Sequence, residues 1–418
     1  MKKISICCFL LYACFTIAFS TACGNNVMGD INNNKKIDLT DAIRLLQRIA
    51  NPDISAKYQL QELLDQNFFQ SANTGGVLCI QTPLFEWIGT TGMSNVSSKT
   101  PMKSTDKLRI ASMTKTFTAT VVLKLVDENV LGLNDYISDY LSDDILDKIE
   151  NADDITIQHL LSMTSGIYDY SNDDDYFDAT QTRPSRQAWL PEELIDIIDG
   201  KQSSFFPGEG WEYCNTNYIL LEMIVQSVTE KSLAQEMRRL IFDPLNMSQT
   251  FMELQETQEG GFGGLIVRGY DLDNSPDIID ITEENDGLGL GDGGLISDVS
   301  GLAKFLTAMF DSKSVLSQSS LGLMTNFGGY VSIKDLDDEN VKEDAATYGL
   351  ALGKTITPHG VAWGHDGKSA GFEGEMRYYT DTKVILVLLT NAENDPYGPD
   401  YIFDDVMDIL VSFKLLEK

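Results

Sequence analysis

Apolar residues along the chain gather into a few long runs, separated by acidic and glycine-bearing stretches. The first run, Ile4 to Phe19, follows Lys2 and Lys3 and leads into Ser20-Thr21-Ala22-Cys23. That order is the layout of a secretory signal. The run is shorter than the ~20 apolar residues a membrane span needs, and no comparable run follows. Tyr58 to Phe69 reads as an amphipathic helix, and Gly75 to Ile80 with Leu84 to Gly89 as a strand pair. Ile110 to Val130 and Tyr218 to Leu240 read as long apolar helices, Val299 to Phe310 as another. Residues 134–206 are polar, acidic and helical in parts, with loop signals at Ser171 to Asp175 and at Arg183-Pro184. Residues 255–295, rich in Gly and Asp, predict loops and short strands. Val384 to Thr390 is a continuous apolar strand of the buried kind, and a helix from Ile402 to Leu415 closes the chain. Early strands, a helical middle and late strands argue for an α+β fold. One antiparallel sheet, built from both ends of the chain and flanked by helices, carries an inserted mainly helical lobe. A small helical loop module precedes it. Residues 1–22 are read as the signal, 23–53 as module and tether, and 54–418 as the main domain.

Composition bounds this picture. The 418 residues are 43% hydrophobic and 22% charged, which excludes a mostly disordered chain. A net charge of -32 repels phosphate backbones and argues against a nucleic-acid partner. Cys7, Cys8 and Cys14 go with the signal, so only Cys23, Cys79 and Cys214 remain, too few for a disulfide framework. Cys79 and Cys214 are expected to be two separate buried thiols. The small residues before Cys23 resemble a bacterial lipobox, although Ser20 departs from the usual aliphatic residue. Lipidation at Cys23 and simple secretion are both consistent with export. Counting from Asp30, the residues Asp30, Asn32, Asn34, Lys36, Asp38 and Asp41 fall at positions 1, 3, 5, 7, 9 and 12 of a calcium loop, position 7 offering its carbonyl. The stretch resembles one repeat of a dockerin module. Dockerins carry two repeats, and Lys35 stands where glycine eases the turn. A structural calcium site and a plain polar tether are the two readings.

Chemistry concentrates in three short elements. In Arg109-Ile110-Ala111-Ser112-Met113-Thr114-Lys115, Ser112 and Lys115 stand at i and i+3 and share a helix face. A serine hydroxyl needs a neighbour to take its proton, and a lysine can do so when burial lowers its pKa. Ser104-Thr105-Asp106-Lys107 matches the same pattern in a polar stretch that cannot bury the lysine. The second element is Tyr213-Cys214-Asn215, on a Pro-Gly turn before a long apolar helix. Its phenol can share proton transfer, and its amide can bond a substrate amide. Tyr170-Ser171-Asn172 matches as well, but three aspartates follow, and the segment reads as a surface loop where a tyrosine finds no pairing. The third element is His365-Asp366-Gly367, where glycine lets a substrate backbone approach a strand edge.

These elements, in this order and separation, resemble the serine β-lactamase and penicillin-binding-protein superfamily. The branch is that of class C β-lactamases, D-alanyl-D-alanine carboxypeptidases and related esterases. Leu160 to Gly166, Asp243-Pro244-Leu245-Asn246-Met247, Gly293 to Ser297 and Tyr348-Gly349-Leu350 extend the resemblance over residues 58–415. It implies a β-lactamase/transpeptidase-like fold, no catalytic cofactor, and small peptide, amide or ester substrates, peptidoglycan among them. It implies Ser112 as nucleophile, Lys115 as base and Tyr213 as a partner in proton transfer. It further implies substrate contacts from Asn215, His365 and Gly367, and an oxyanion hole from the N–H groups of Ser112 and Lys368. His-Asp-Gly replaces the Lys-Thr-Gly of class C β-lactamases, which points away from efficient β-lactam hydrolysis toward carboxypeptidase or esterase action. Met163 replaces a common histidine.

Other classes fit less well. His159, His359 and His365 lie in no Gly-x-Ser-x-Gly elbow, and no His-Glu-x-x-His zinc motif is present. A catalytically silent protein that keeps the fold for cell-wall sensing or binding is the alternative from a different class. The three intact elements weigh against it.

Overall fold

The computed structural model describes residues 52–68, 74–184, 187–256, 267–272, 278–285, 289–331, 336, 338–393 and 399–417. The signal, Cys23 and the Asp30 to Asp41 loop lie outside the described residues. The chain divides into two units, Met1–Gln59 and Leu60–Lys418. Helix α1, Pro52–Phe68, runs across that division.

The larger unit is α+β. Its six-stranded antiparallel sheet uses β1 (Gly76–Gln81), β2 (Glu86–Thr91), β3 (Gly353–Thr357), β4 (Gly360–Ser369), β5 (Phe372–Tyr379) and β6 (Ile385–Thr390) in the order β3-β4-β5-β6-β1-β2. The apolar strand β6 is buried along its whole length, between β5 and β1. It pairs Thr390 with Gly76 on one side and with Glu373 on the other, which joins the two ends of the chain. Its unbroken Ile-Leu-Val-Leu-Leu run suits a strand covered on both faces.

Four further helices matter for the site: α2 (Thr114–Asp127), α3 (Thr216–Thr229), α4 (Val299–Leu306) and α5 (Pro399–Ser412). Helix α2 runs through the core, with Thr114 through Leu123 all buried. Phe117 stacks on Phe305 of α4 with ring centroids 4.0 Å apart. Helix α4 packs on β1, β5 and β6, and α5 packs on β5 and β6. Residues 134–206 fold as short helices and turns, including Ile157–Leu161, Asp174–Thr182 and Pro191–Ile197.

Three expectations needed correction. The helix read from Ile110 starts at Thr114, because Ile110 (φ -104°, ψ 0°) and Ala111 (φ 47°) leave helical geometry and set a separate turn, Ala111–Met113. The helix read from Tyr218 to Leu240 stops at Glu230, which adopts a left-handed φ of 57°. It restarts at Leu233, because Ser232 and Gln235 form a capping box. The loop read at Ser171 to Asp175 is instead the turn Tyr170–Asn172 followed by helix Asp174–Thr182. Its aspartates are a helix start: the Asp173 side chain accepts from the Asp175 N–H, and Asp174 and Asp175 sit in the first turn, where the helix dipole favours acids.

Candidate active site

The turn Ala111–Met113 places Ser112 half-exposed at the mouth of α2, while Lys115, one turn later, is fully buried. Lys115 Nζ lies 3.0 Å from Ser112 Oγ, 2.7 Å from Asn215 Oδ1 and 2.7 Å from the Asp292 carbonyl. The last two can only accept. Two amine protons are therefore committed to them, and the third tetrahedral position faces the serine hydroxyl. In the neutral amine that position is a lone pair. Burial lowers the Lys115 pKa, against the pull of Asp292, Asp169 and Asp366, so the neutral form is favoured relative to an ordinary lysine. The ring of Tyr213 lies 5.0 Å and that of Tyr218 5.7 Å from Nζ.

Asn215 could present either end of its amide to Lys115, and Asp169 decides which. Asp169 Oδ2 accepts from both the backbone N–H and Nδ2 of Asn215, each at 3.1 Å. Ser171 Oγ takes the other Nδ2 proton at 3.1 Å. Only Oδ1 is left to face the amine. The Asn215 amide protons are thus engaged within the protein, and its Oδ1 holds Lys115.

The Tyr213 hydroxyl is buried and faces Ser112 without a hydrogen bond of full geometry. Burial holds its pKa well above the phenol range, with the Ser112 hydroxyl pulling the other way. The phenol is therefore uncharged beside Ser112.

On the opposite wall, β3 pairs with β4 only as far as Gly353 with Gly364. Residues His365 to Ser369 therefore run past the end of β3. A Cβ on Gly367 would sit 2.4 Å from the Ile110 carbonyl oxygen and 2.9 Å from the Ser112 nitrogen. Only glycine lets this strand lie against the nucleophile turn. Lys368 follows, opposite Glu373 on β5. His365 is buried, with Nδ1 at 2.6 Å from the Asp366 carbonyl and Nε2 at 3.3 Å from the Tyr348 hydroxyl. A carbonyl can only accept, so Nδ1 carries the proton and Nε2 accepts from Tyr348. Burial lowers the His365 pKa, which keeps the ring uncharged near neutrality.

The structure brings together Ser112, Lys115, Tyr213, Asn215, His365 and Gly367. It leaves Ser104 exposed in a turn, as its polar setting implied. The reading of Tyr170 as an unpaired surface residue is overturned. Tyr170 is 2% exposed and donates to Asp292 Oδ2 at 2.7 Å, and Ser171 accepts from Asn215. Both Tyr-x-Asn segments therefore serve one site. The aspartates that suggested solvent are the start of the next helix. Asp169 and Asp292 were missed because a lone acid in a loop carries no spacing signal. The Met163 thioether accepts from the Cys214 N–H and from Asn217 Nδ2, each at 3.4 Å, and so braces the Tyr213 segment. Among the described residues, no group of three or more His, Cys, Asp or Glu is placed to hold a metal ion.

A family model described as Beta-lactamase matches residues 62–405. The chain belongs to the beta-lactamase family. It is similar to penicillin-binding protein 4* of Bacillus subtilis, 25% identical over 73% of this chain and 65% of that protein. It is also similar to protein flp of Staphylococcus aureus, 31% identical over 46% of this chain and 37% of that protein. The chain thus spans less than two thirds of the length of these relatives. Among solved structures, a D-stereospecific amidohydrolase from a Streptomyces species superposes with a TM-score of 0.68 at 25% identity, covering 83% of this chain and 97% of that one. A D-amino acid amidase from Ochrobactrum anthropi superposes with 0.69 at 24% identity, covering 86% and 98%. The second likeness speaks to the fold alone.

Proposed function

We propose that this family member is a serine hydrolase that forms an acyl-enzyme on amide, peptide or ester substrates. Its action is of the esterase or amidase type, with carboxypeptidase action as the second reading, rather than efficient β-lactam hydrolysis. The observation that carries this reading is the pair of acceptors, Asn215 Oδ1 and the Asp292 carbonyl, that takes both protons of a neutral Lys115 amine and aims its lone pair at the Ser112 hydroxyl. Ser112 Oγ attacks the substrate carbonyl carbon while its proton passes to Nζ. The oxyanion gathers on the N–H groups of Ser112 and Lys368, each such donor being worth ~10²–10³ in rate. The proton then reaches the leaving amine or alkoxide by way of Tyr213, and water hydrolyses the resulting ester by the reverse path.

An uncharged His365 beside the exposed Asp366 offers no positive charge to a substrate carboxylate. This supports amides and esters over substrates that end in a free carboxylate. The likeness to a D-stereospecific amidohydrolase is in keeping with that preference. A panel of D-amino-acid amides, D-Ala-D-Ala peptides with free and amidated ends, p-nitrophenyl esters and nitrocefin tests the proposal. Turnover of amides or esters that vanishes in Ser112→Ala supports it. Turnover that survives in Ser112→Ala removes it.

The segment before residue 52 belongs to the same proposal. Residues 1–22 direct export to the bacterial cell envelope or beyond, with Cys23 lipid-modified or the protein released, and the Asp30 to Asp41 loop takes calcium or serves as a tether. Intact mass of the membrane fraction reports the lipid. Calcium titration of the full chain reports the site, and the absence of heat retires it.

A further inference from the structure

Lys115 is held on one side by Asn215, at the start of α3. Glu222 lies two helical turns further along α3, on the same side of the helix. It is buried, yet it is a carboxylate in an otherwise apolar stretch, Tyr218 to Val225. Its Oε2 accepts from the Gly291 N–H at 2.7 Å, and its Oε1 from Gln255 Nε2 at 3.3 Å. The carbonyl of the same Gly291 accepts from the Thr118 hydroxyl of α2 at 2.6 Å. The next carbonyl, that of Asp292, accepts from Lys115. The 289–294 segment is thus pinned at Gly291 from both helices, one residue before it reaches the amine. The segment lies close against its neighbours there, since a Cβ on Gly291 would meet Leu233 of the following helix at 2.6 Å and Glu222 at 3.3 Å.

We infer that Glu222 is a positioning residue for the Lys115 amine, acting through Gly291 to fix the Asp292 carbonyl. The inference rests on the reading of Lys115 as the base. Two bonds to Gly291 and Gln255 need two accepting oxygens. Protonation turns one of those oxygens into a hydroxyl, a poorer acceptor than a carboxylate oxygen, and so weakens the hold on the segment. The groups facing it are acidic: Asp292 on the segment and Glu192 on the helix Pro191–Ile197. Burial, with these two acids, pushes the Glu222 carboxyl up to about 7, against the bonds from Gly291 and Gln255. The segment therefore slackens as pH falls through that value, and the Lys115 lone pair loses its aim.

Two measurements on the full chain test this. In protein labelled with 15N-glycine, with the Gly291 resonance identified by Gly291→Ala, that amide should titrate near pH 7, and it should not in Glu222→Gln. The rate of Ser112 labelling by a fluorophosphonate should fall in the wild type below the same pH. Glu222→Leu, which offers no acceptor, should lower that rate by about ten-fold at pH 8 with the fold retained by circular dichroism. A Gly291 amide that does not respond to pH, or a Glu222→Leu rate equal to wild type, overturns the inference. A wild type that takes no label overturns the reading of Ser112 instead, and the glycine resonance then decides the role of Glu222 alone.

Discussion

At the scale of residues, the account turns on one amine and the atoms that orient it. Lys115 offers two protons to fixed acceptors and its third position to Ser112. Lys115→Met should therefore abolish acylation while leaving circular dichroism unchanged, and near-normal turnover would assign the base elsewhere. The wild-type rate should rise with pH as the amine loses its proton. Because burial lowers its pKa, that rise should be complete below the ordinary lysine range. A rise that persists to the value of a free lysine would contradict the geometry. Asp169 governs the direction of the Asn215 amide. Asp169→Ala would leave two part-buried donors of Asn215 without their acceptor, at a cost of about 1 kcal/mol in stability, measured by urea denaturation. It should also slow acylation, since a freed amide can turn its NH₂ toward Lys115.

At the scale of elements, the site is where three pieces of backbone meet: the turn before α2, the turn before α3 and the stretch of β4 that runs past the end of β3. Gly367 is the contact between the first and the last. Gly367→Ala should push β4 from the nucleophile turn and lower the acylation rate by about 10²-fold, while stability changes far less. A wild-type rate in that variant would mean that β4 does not form part of the site. Helix α3 carries a cost of its own. The Glu222 carboxyl is raised by burial to about 7 in the folded chain, so the group contributes its full stability below its unfolded value and loses it as pH rises through 7. The Tm of Glu222→Gln should therefore exceed that of the wild type by more at pH 8 than at pH 5, and an unchanging gap would show that Glu222 does not titrate there. Much of this was legible in the chain. The unbroken Val384 to Thr390 run marked the buried strand, and the apolar run after Ser112 marked the buried helix α2. The break at Ala111 was not legible, because it sits in an apolar run that reads as helix, whereas the break at Glu230 lies in a polar stretch and is followed by a capping box, Ser232 with Gln235, that the chain itself carries. The Asp169, Tyr170 and Asp292 contacts were hidden for another reason: they join residues far apart in the chain, 46 positions for Asp169 and Asn215 and 122 for Tyr170 and Asp292.

At the scale of the whole molecule, the sheet closes from both ends of the chain, so the site depends on the C-terminal strands being paired with β1. The two remaining thiols of the larger unit sit inside this frame. Cys79 on β1 and Cys214 beside Tyr213 are both free and buried, as the cysteine pattern implied. Burial pushes the Cys79 thiol up to about 12 and the Cys214 thiol higher still. Neither should react with a disulfide reagent in the native protein, and both should react after denaturation; native reactivity at either would show that the core opens. The account as a whole is tested most directly by treating the purified protein with a fluorophosphonate and mapping the adduct by peptide mass spectrometry. It predicts one adduct, on Ser112, lost in Ser112→Ala and in Lys115→Met. An adduct on any other residue, or one on Ser112 that forms at the same rate without Lys115, would contradict it.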